Sequence, residues 1–447
     1  MTARNPKVAQ LARRQSAKTS VGGYEQRPSL DVRALRVVQR VVKRRAQKLL
    51  WHGIGAMGYA VRRRGAITPV PRSGDPCVRR ILLVRVDLLG DTVLTTPAIA
   101  ALRRGYPKAK IDVLVQRSTA AVLAAEREIA QVITYDPQIV QQRGGWMNAL
   151  KLVRRLRKAR YDIAISVAGD LGSIFTRLSG AKCTIGYAGE AYPHMLTHPV
   201  PGGRYAVAQH ETRYVLALAE AAGGITHNTD ARPRLHVAPD AQREMTAMLR
   251  LSRAQLGRTG PVIAMHAGAR NGQAKRWPSH HFAALADLLA EELDALVVVT
   301  GAPNEATIAQ NIVRQANHPL INVSGKTSLP QLTALLAQSN VLVTGDSGPM
   351  HIACAVDTPV VVMHGPTDPA LSGPTAPDAI VLRHHLWCSP CYDASATAEC
   401  RFGNPICMKA ITPHTVLAAV RRQLLAHGWD SQRGTGDENQ LSVSSHP

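Results

Sequence analysis

Hydrophobic positions along the chain form short apolar runs that alternate with stretches of helical spacing. The run Ile81–Val86 is short and uniformly apolar apart from Arg85, whereas the stretch after Thr96 and Pro97 repeats its apolar residues at helical intervals. This alternation predicts βαβ units and a parallel, doubly wound sheet. In the first series we predict strands at 80–86, 111–115, 131–134 and 162–167, and helices at 97–105, 118–127, 146–159 and 208–222.

A second series of the same kind begins near Pro261. We predict strands at 261–266, 295–300, 320–323, 341–344, 359–363 and 379–382, and helices at 279–292, 304–316, 329–338, 348–355 and 412–427. The chain therefore has two halves of similar architecture, joined by 233–260. Two such domains facing one another would form a cleft between them.

This pattern divides the chain into four parts. The residues before the first strand include a stretch with Pro69, Pro71, Gly74 and Pro76, which is typical of a linker. The predicted parts are a basic extension with this linker (1–77), a first Rossmann-like domain (78–240), a second Rossmann-like domain (241–430) and a polar tail (431–447).

Charge is distributed unevenly over the 447 residues. The chain carries 54 Lys and Arg against 31 Asp and Glu, and residues 1–80 alone contribute +16 of the total of +23. A basic segment with few acids attracts polyanions such as anionic lipid or nucleic acid. No uncharged apolar run is long enough to cross a membrane, and the first 30 residues lack the apolar stretch of a secretory signal, so a cytoplasmic location is the default expectation.

Residues 30–64 combine helical spacing of apolar side chains with many interleaved basic ones. Leu35, Val38 and Val42 recur at helical intervals, with Arg36 and Lys43 between them. Such a basic amphipathic helix can lie on anionic lipid. Binding to nucleic acid and packing on the protein's own body are the alternatives, of which nucleic acid is the less favoured.

The first candidate for catalysis follows the first strand, at Gly90 and Asp91. Ligands of open α/β sheets bind beyond the carboxyl ends of the strands, where an acid beside a glycine is a candidate general base. The alternative is a helix N-cap, where Asp and Thr are preferred whatever the function.

In the second half, candidate ligand-binding residues are concentrated between 341 and 353. An apolar strand enters the turn Gly345–Gly348, and Pro349 follows at the start of a predicted helix. Backbone N–H groups at such a helix start bind anions, and small residues let a diphosphate approach. Ser347 could donate a hydrogen bond, and Asp346 could hold the loop or meet a substrate hydroxyl; a plain helix cap is the alternative.

Two further strand ends open on the same predicted edge. The loop that begins at His266 and Gly268 leads to Lys275 and Arg276, whose charges could neutralise phosphate or be ordinary surface charges. Glu305 follows the next strand and could accept bonds from ribose hydroxyls or simply begin a helix.

Other patterns are incomplete or ambiguous. Gly325-Lys326-Thr327 lacks the earlier glycine of a Walker A loop, and no G-x-G-x-x-G follows the first strand. Four cysteines in the second half could bind structural zinc or pack as reduced thiols, and neither reading implies catalysis. These are Cys388, Cys391, Cys400 and Cys407.

Taken together, the motifs resemble the glycosyltransferase family that includes the lipopolysaccharide heptosyltransferases, which use ADP-heptose. The resemblance extends from about residue 80 to 424 and leaves out the basic extension and the tail. The matching segments, in the order of the family, are 81–97, 179–187, 210–214, 266–268 with 275–278, 344–351 and 365–369.

The resemblance implies a GT-B fold and inverting transfer without an obligatory metal or other cofactor. Asp91 matches the general base, and Gly90 with Thr92 shapes its turn. On the donor side the matching residues include a phosphate-binding lysine, an acid at the nucleoside and a loop that grips diphosphate and sugar. These are His266, Lys275, Glu305, Asp346, Ser347, Gly348 and His351.

The expected function is transfer of a sugar, heptose by resemblance, from a nucleotide donor to a lipid-linked oligosaccharide at the inner face of a bacterial inner membrane. The run Gly348–His351 differs from that of the best-understood heptosyltransferases, so the donor need not be ADP-heptose. The alternatives are the same fold with another donor, for a capsule, glycolipid or protein acceptor, and a catalytically silent GT-B binding module.

Overall fold

The fold consists of two parallel sheets of six strands each, with helices packed around them. The computed structural model describes residues 68–137, 145–167, 169–190, 192–203, 208–227, 231–269, 272–391 and 399–429. The expectations for 30–64 and for 431–447 lie outside these residues.

The first sheet has the strand order β3-β2-β1-β4-β5-β6. Its strands are β1 Arg80–Arg85, β2 Lys110–Gln116, β3 Gln131–Tyr135, β4 Ile163–Ser166, β5 Cys183–Tyr187 and β6 His198–Val200. Its helices are α1 Leu89–Val93, α2 Thr96–Gly105, α3 Gly145–Ala159, α4 Asp170–Leu178 and α5 Glu211–Ala221. The strand order reverses between β1 and β4, and crevices for ligands form at such a reversal.

The second sheet repeats this topology, with the order β12-β11-β10-β7-β8-β9. Its strands are β7 Val262–His266, β8 Leu296–Thr300, β9 Ile321–Asn322, β10 Val341–Gly345, β11 Val360–Met363 and β12 Ile380–Leu382. The remaining helices are α6 Pro239–Leu256, α7 Ser279–Leu293, α8 Ala306–Gln315, α9 Leu329–Ala337, α10 Gly348–Ala355, α11 Pro369–Ser372, α12 Ile406–Lys409 and α13 Pro413–Ala426.

The two α/β halves are packed against each other. One apolar cluster joins Val93 and Ile99 of the first half to Met350 and Ile352 of the second, and all four side chains are buried. Burial of this apolar surface stabilises the contact between the two halves. The helices α1 and α10, which follow β1 and β10, are thereby held against each other.

Several predicted elements differ from the observed ones. The segment 118–127 forms only a 3₁₀ turn, Ala120–Leu123, and not the predicted helix. Its alanines favour a helix, but burial of Val122 and Leu123 and the Glu126 carboxylate, which accepts a bond from the His236 N–H at 2.7 Å, fix a compact turn.

Other elements were missing from the prediction. The short strands β5 and β6 and the helix α4 were not predicted, and the joining stretch 233–260 contains the 18-residue helix α6. The helical pattern that we placed after Pro97 is preceded by the short helix α1, so that Asp91 lies within a helical turn.

The described part of the predicted linker is packed on the first half. Pro71 O accepts a hydrogen bond from the Tyr106 hydroxyl at 2.9 Å, and Gly74 N donates to Gly105 O at 2.8 Å. Its prolines and glycine therefore shape a docked segment rather than a free connection.

Candidate functional site

Lys275 and Asp346 meet at the reversal of strand order in the second sheet. Lys275 follows β7 and Asp346 follows β10, and these strands are hydrogen-bonded neighbours. The Lys275 Nζ lies 2.8 Å from Asp346 Oδ2, with 12% and 10% of the two side chains exposed. The sequence placed both residues at this edge, and the structure brings them into one ion pair.

The charge of Asp346 is favoured by the groups around it. Burial disfavours the ionised carboxylate, but the charge and the hydrogen bond of the Lys275 ammonium oppose this effect, and the pKa of Asp346 is lowered. The carboxylate therefore stays ionised at neutral pH and holds Lys275 in place.

The start of α10 lies directly beyond this ion pair. Ser347 occupies the N-cap position, but its hydroxyl does not cap the helix and instead lies 2.8 Å from the Thr344 hydroxyl. In the first turn, Pro349 has no N–H, and Met350 N donates to Ser347 O at 3.2 Å. The N–H of Gly348 and the positive end of the helix dipole together form a suitable surface for an anionic group.

Glu305, His266 and Gly268 form a compact group beside the Lys275 loop. Glu305 Oε2 accepts a bond from Ala302 N at 2.8 Å and lies 3.8 Å from His266 Nε2. A Cβ built on Gly268 would lie 2.1 Å from the Glu305 carboxylate, so only glycine fits there.

His266 lies beneath Glu305, away from solvent. Its Nδ1 lies 3.1 Å from the Thr300 hydroxyl, and burial lowers its pKa although Glu305 opposes the shift. The neutral imidazole therefore lies next to the Glu305 carboxylate, at 3.8 Å and without a hydrogen bond to it.

Asp91 is held at both carboxylate oxygens. Its Oδ1 lies 2.9 Å from an Arg85 guanidinium nitrogen, and its Oδ2 accepts a bond from Leu88 N at 3.2 Å. The N-cap of α1 is Leu88, so Asp91 is not the N-cap that the sequence offered as the alternative; it lies at the third helical position and its carboxylate accepts from the N-cap N–H. Such a carboxylate retains further lone pairs, so the geometry also leaves acceptor capacity for a substrate hydroxyl.

Thr92 supports the same helical turn from the buried side. Its hydroxyl donates to Leu88 O at 3.0 Å and lies 3.2 Å from the Thr119 hydroxyl, with the residue 1% exposed. Thr92 therefore acts on the shape of the turn.

Glycines bring the two halves together next to Asp91. A Cβ on Gly90 would lie 2.6 Å from His351 Cδ2, and a Cβ on Gly348 would lie 3.1 Å from the side chain of Leu89. Absence of side chains at both positions allows α1 and α10 to approach. The candidate base of the first half consequently lies beside the candidate anion-binding turn of the second.

His351 is neutral in this setting. Burial lowers its pKa to about 4, against the opposing effects of Asp346 and Asp91. Its Nδ1 is buried without a hydrogen-bond partner among the described residues.

A second contact between the halves involves His210. Its Nδ1 accepts a bond from Thr212 N, and its Nε2 lies 3.1 Å from Gly373 O in the second half. Because Nδ1 accepts, Nε2 carries the proton and donates to the carbonyl. Burial lowers the pKa of His210.

Three residues of the site carried no role in the sequence prediction. Arg85 is fully buried and contacts Asp87, Asp91 and Glu211. A charged residue within the apolar run of β1 was the available signal for Arg85. Glu211 has no comparable local signal, because its contact with Arg85 spans 126 positions of the sequence. No pattern around His364 pointed to this residue, whose buried Nδ1 lies 3.1 Å from the Thr367 hydroxyl.

The four cysteines of the second half line one cavity of about 230 Å³, with Trp387 and Phe402 at its rim. All four thiols are free, and burial raises the pKa of Cys391 and Cys407. Within the described residues, no group of three or more His, Cys, Asp or Glu side chains is arranged to hold a metal ion.

No helix in the described part of the chain is long and apolar enough to cross a membrane.

Two facing doubly wound sheets, with charged loops at their carboxyl edges, define the GT-B class of glycosyltransferases, as the sequence pattern and the resemblance predicted. The model of glycosyltransferase family 9 (heptosyltransferase) matches residues 149–401, more than half of the chain. The chain belongs to this family and is a glycosyltransferase.

Individual relatives agree with this assignment. The lipooligosaccharide heptosyltransferase 2 of Haemophilus influenzae is 30% identical over 313 residues, which cover 68% of this chain and 88% of that protein. The lipopolysaccharide heptosyltransferase 2 of Escherichia coli is 29% identical over 316 residues, with the same coverage of 68% and 88%.

Solved structures are similar over a larger share of the chain. The structure of the ADP-heptose lipopolysaccharide heptosyltransferase II of Escherichia coli matches with a TM-score of 0.64 at 26% identity and covers 78% of this chain and 99% of its own. A family 9 glycosyltransferase from Veillonella parvula has the same fold, with a TM-score of 0.67 at 23% identity and coverage of 78% and 98%.

Proposed function

We propose that this glycosyltransferase moves a heptose from ADP-heptose to a lipopolysaccharide-type glycolipid, with inversion at the anomeric carbon. The observation that carries the proposal is the position of Asp91 directly beside the turn of Asp346, Ser347 and Gly348. The substrate classes come from the relatives, which are named as heptosyltransferases of lipopolysaccharide and lipooligosaccharide.

The second half would bind the donor. Lys275 and the first turn of α10 would neutralise the diphosphate, while Glu305, beside His266, would accept bonds from the nucleoside. Ser347, Gly348 and His351 would line the diphosphate and sugar. The ion pair between Lys275 and Asp346, at 2.8 Å, supports this assignment because it holds the lysine at the helix start.

The first half would supply the base and bind the acceptor. Asp91 would take the proton of the acceptor hydroxyl as its oxygen forms a bond to the anomeric carbon. The bond from that carbon to the phosphate oxygen would break, and ADP would leave with the electron pair. The balance is one glycoside, one ADP and one proton from the two substrates. Gly90 and Thr92 would shape the turn that carries the base.

The remaining expectations belong to the same proposal. We divide the chain into an extension (1–77), an acceptor domain (78–240), a donor domain (241–430) and a tail (431–447). The basic residues of 30–64 would bind anionic lipid at the inner face of the inner membrane, where the acceptor is anchored.

The test combines ligand binding with transfer. ADP and ADP-heptose should stabilise the protein in a thermal-shift screen of nucleotide diphosphates and nucleotide sugars. A ligand at 100 times its dissociation constant adds about 2.7 kcal/mol to the free energy of unfolding. If no nucleotide raised the unfolding temperature, the result would contradict a donor site. If only a different nucleotide raised it, the donor would be a different nucleotide sugar.

Asp91→Asn should retain the ADP shift and lose turnover by about 10²–10⁴-fold, the usual contribution of a general base. Asp112→Asn is the control, because Asp112 is a more deeply buried acid of the same half of the chain that also pairs with an arginine, Arg80. Turnover is measured with labelled ADP-heptose and a heptose-deficient acceptor. Normal turnover of Asp91→Asn would show that Asp91 is not the general base.

A further inference from the structure

Arg85 is the central residue of a cluster of charged side chains that includes the candidate base, and Arg85 and Glu211 are its buried members. Its side chain is fully buried at the end of β1, and it pairs with three carboxylates. The guanidinium nitrogens lie 3.2 Å from Asp87 Oδ2, 2.9 Å from Asp91 Oδ1 and 2.7 Å from Glu211 Oε1. The cluster thus places one positive charge among three acids.

Stabilisation of the fold alone does not explain such a cluster. Taking several charges out of water costs several kcal/mol each, and apolar residues of similar size often stabilise a fold as well or better. β1 is otherwise apolar and buried, so an apolar residue at position 85 would continue the core. The arrangement is better explained by what it does to Asp91.

The geometry leaves Asp91 little freedom of orientation. Arg85 binds one carboxylate oxygen and Leu88 N binds the other, so rotation of the carboxylate would break a hydrogen bond. The same Arg85 nitrogen, Nη2, contacts both Asp91 and Glu211. Glu211 therefore limits the positions that the guanidinium can take.

Glu211 is itself fixed with respect to both halves. It occupies the first turn of α5, where the positive helix end favours an acid, and it is 5% exposed. The preceding residue, His210, contacts Gly373 O of the second half at 3.1 Å. The start of α5 is thus tied to the donor half as well as to Arg85.

We propose that Arg85 and Glu211 are positioning residues, which hold the Asp91 carboxylate toward the acceptor hydroxyl and contribute to turnover only through Asp91. This inference rests on the proposed function of Asp91. A general base must lie within hydrogen-bond reach of the proton that it takes, and misplacement by 1 Å can cost about 100-fold in rate.

A double-mutant cycle tests the proposal in the full-length chain. Glu211→Gln keeps the shape of the side chain and removes its charge. We expect kcat to fall about tenfold, with the KM for ADP-heptose unchanged within about twofold. Arg85→Met should lower kcat about 100-fold, and Arg85→Lys should restore part of that loss. In the Asp91→Asn background, Glu211→Gln should cause no further loss, because the group that it positions is gone.

Folding effects are separated from positioning by two further variants. Asp112→Asn removes a buried acid from the Arg80 ion pair of the same sheet, and it should lower stability without changing kcat. If Arg85→Met alone does not fold, the double variant Arg85→Met with Glu211→Gln is used instead. It removes one negative charge together with the positive charge and so leaves less unpaired negative charge in the cluster. Chemical unfolding of each variant reports the loss of stability independently of the rate.

The outcomes distinguish the two hypotheses. Normal kcat in Glu211→Gln, or a full additional loss in the Asp91→Asn background, would overturn the positioning role while leaving Asp91 as the base. Normal turnover of Asp91→Asn would instead overturn the proposed base. Absence of transfer by the unaltered chain would overturn the proposed reaction and the positioning role with it.

Discussion

At the scale of single residues, Gly268 controls the position of Glu305. The Gly268 backbone lies against the carboxylate, with no space for a Cβ. The carboxylate is otherwise held by Ala302 N and approached by His266. A change at position 268 would therefore act on Glu305 without altering its chemistry.

Gly268→Ala should weaken ADP binding about tenfold, because the new methyl group displaces a carboxylate that we propose contacts the nucleoside. A tenfold change corresponds to about 1.4 kcal/mol. Titration calorimetry with ADP measures the effect, and Thr307→Ala, an exposed change on the following helix α8, is the control. Unchanged ADP affinity in Gly268→Ala would show that Glu305 does not contribute to nucleoside binding.

At the scale of elements, α10 combines a proposed anion-binding start with a buried histidine one turn later. His351 packs on Gly90 of the first half, and its burial lowers its pKa from 6.5 to about 4. The folded protein therefore binds fewer protons at this position than the unfolded chain does between these two pH values. The free energy of unfolding must then decrease as the pH falls from 6.5 toward 4.

Between pH 7 and pH 5 this one group should lower the free energy of unfolding by about 2 kcal/mol. Burial also lowers the pKa of His210, His266 and His364, so the total loss should be larger. Urea unfolding at both pH values measures it. His351→Asn should reduce the pH dependence, whereas substitution of the exposed His384 by Gln should not. An equal slope in His351→Asn would show that this histidine is not buried in its neutral form.

At the scale of the whole molecule, the two halves share one topology and differ in charge chemistry. The first half presents an acidic cluster behind Asp91, and the second presents the ion pair of Lys275 and Asp346 at a helix start. An acid suits the removal of a proton, and a cation at a helix start suits a leaving diphosphate. This asymmetry between equivalent strand ends supports the assignment of one half to each substrate.

Deletion of residues 1–62 should weaken binding to anionic vesicles by more than tenfold at about 0.1 M salt, since each basic residue near such a surface contributes about 1 kcal/mol. The deletion spares the described segment from Thr68, whose Pro71 is bonded to Tyr106. Co-sedimentation with phosphatidylglycerol vesicles gives the affinity, and phosphatidylcholine vesicles and RNA are the controls. Loss of RNA binding with unchanged vesicle binding would assign the extension to nucleic acid. The ADP shift should be the same with and without the extension.

Local pattern determined much of the fold and part of the site. Short apolar runs and helical periodicity predicted the two α/β series, and the strand ends brought Asp91, Lys275, Glu305 and Asp346 to attention. These inferences succeed because periodicity and helix starts depend on neighbours in the sequence. Weakly patterned pieces such as β6 were missed, and the alanine-rich 118–127 was predicted to be a helix although tertiary contacts limit it to one turn.

Only the tertiary structure decided how these residues are combined. The contact of Arg85 with Glu211 spans 126 positions, and Gly90 meets His351 from the other half of the chain. Such contacts depend on strand order and on the packing of the halves, which no local pattern encodes. The sequence by itself thus determined two doubly wound halves, with an acid at a strand end of one and a candidate anion-binding turn at a strand end of the other. Tertiary packing decided that the two meet, with Arg85 holding the acid in place.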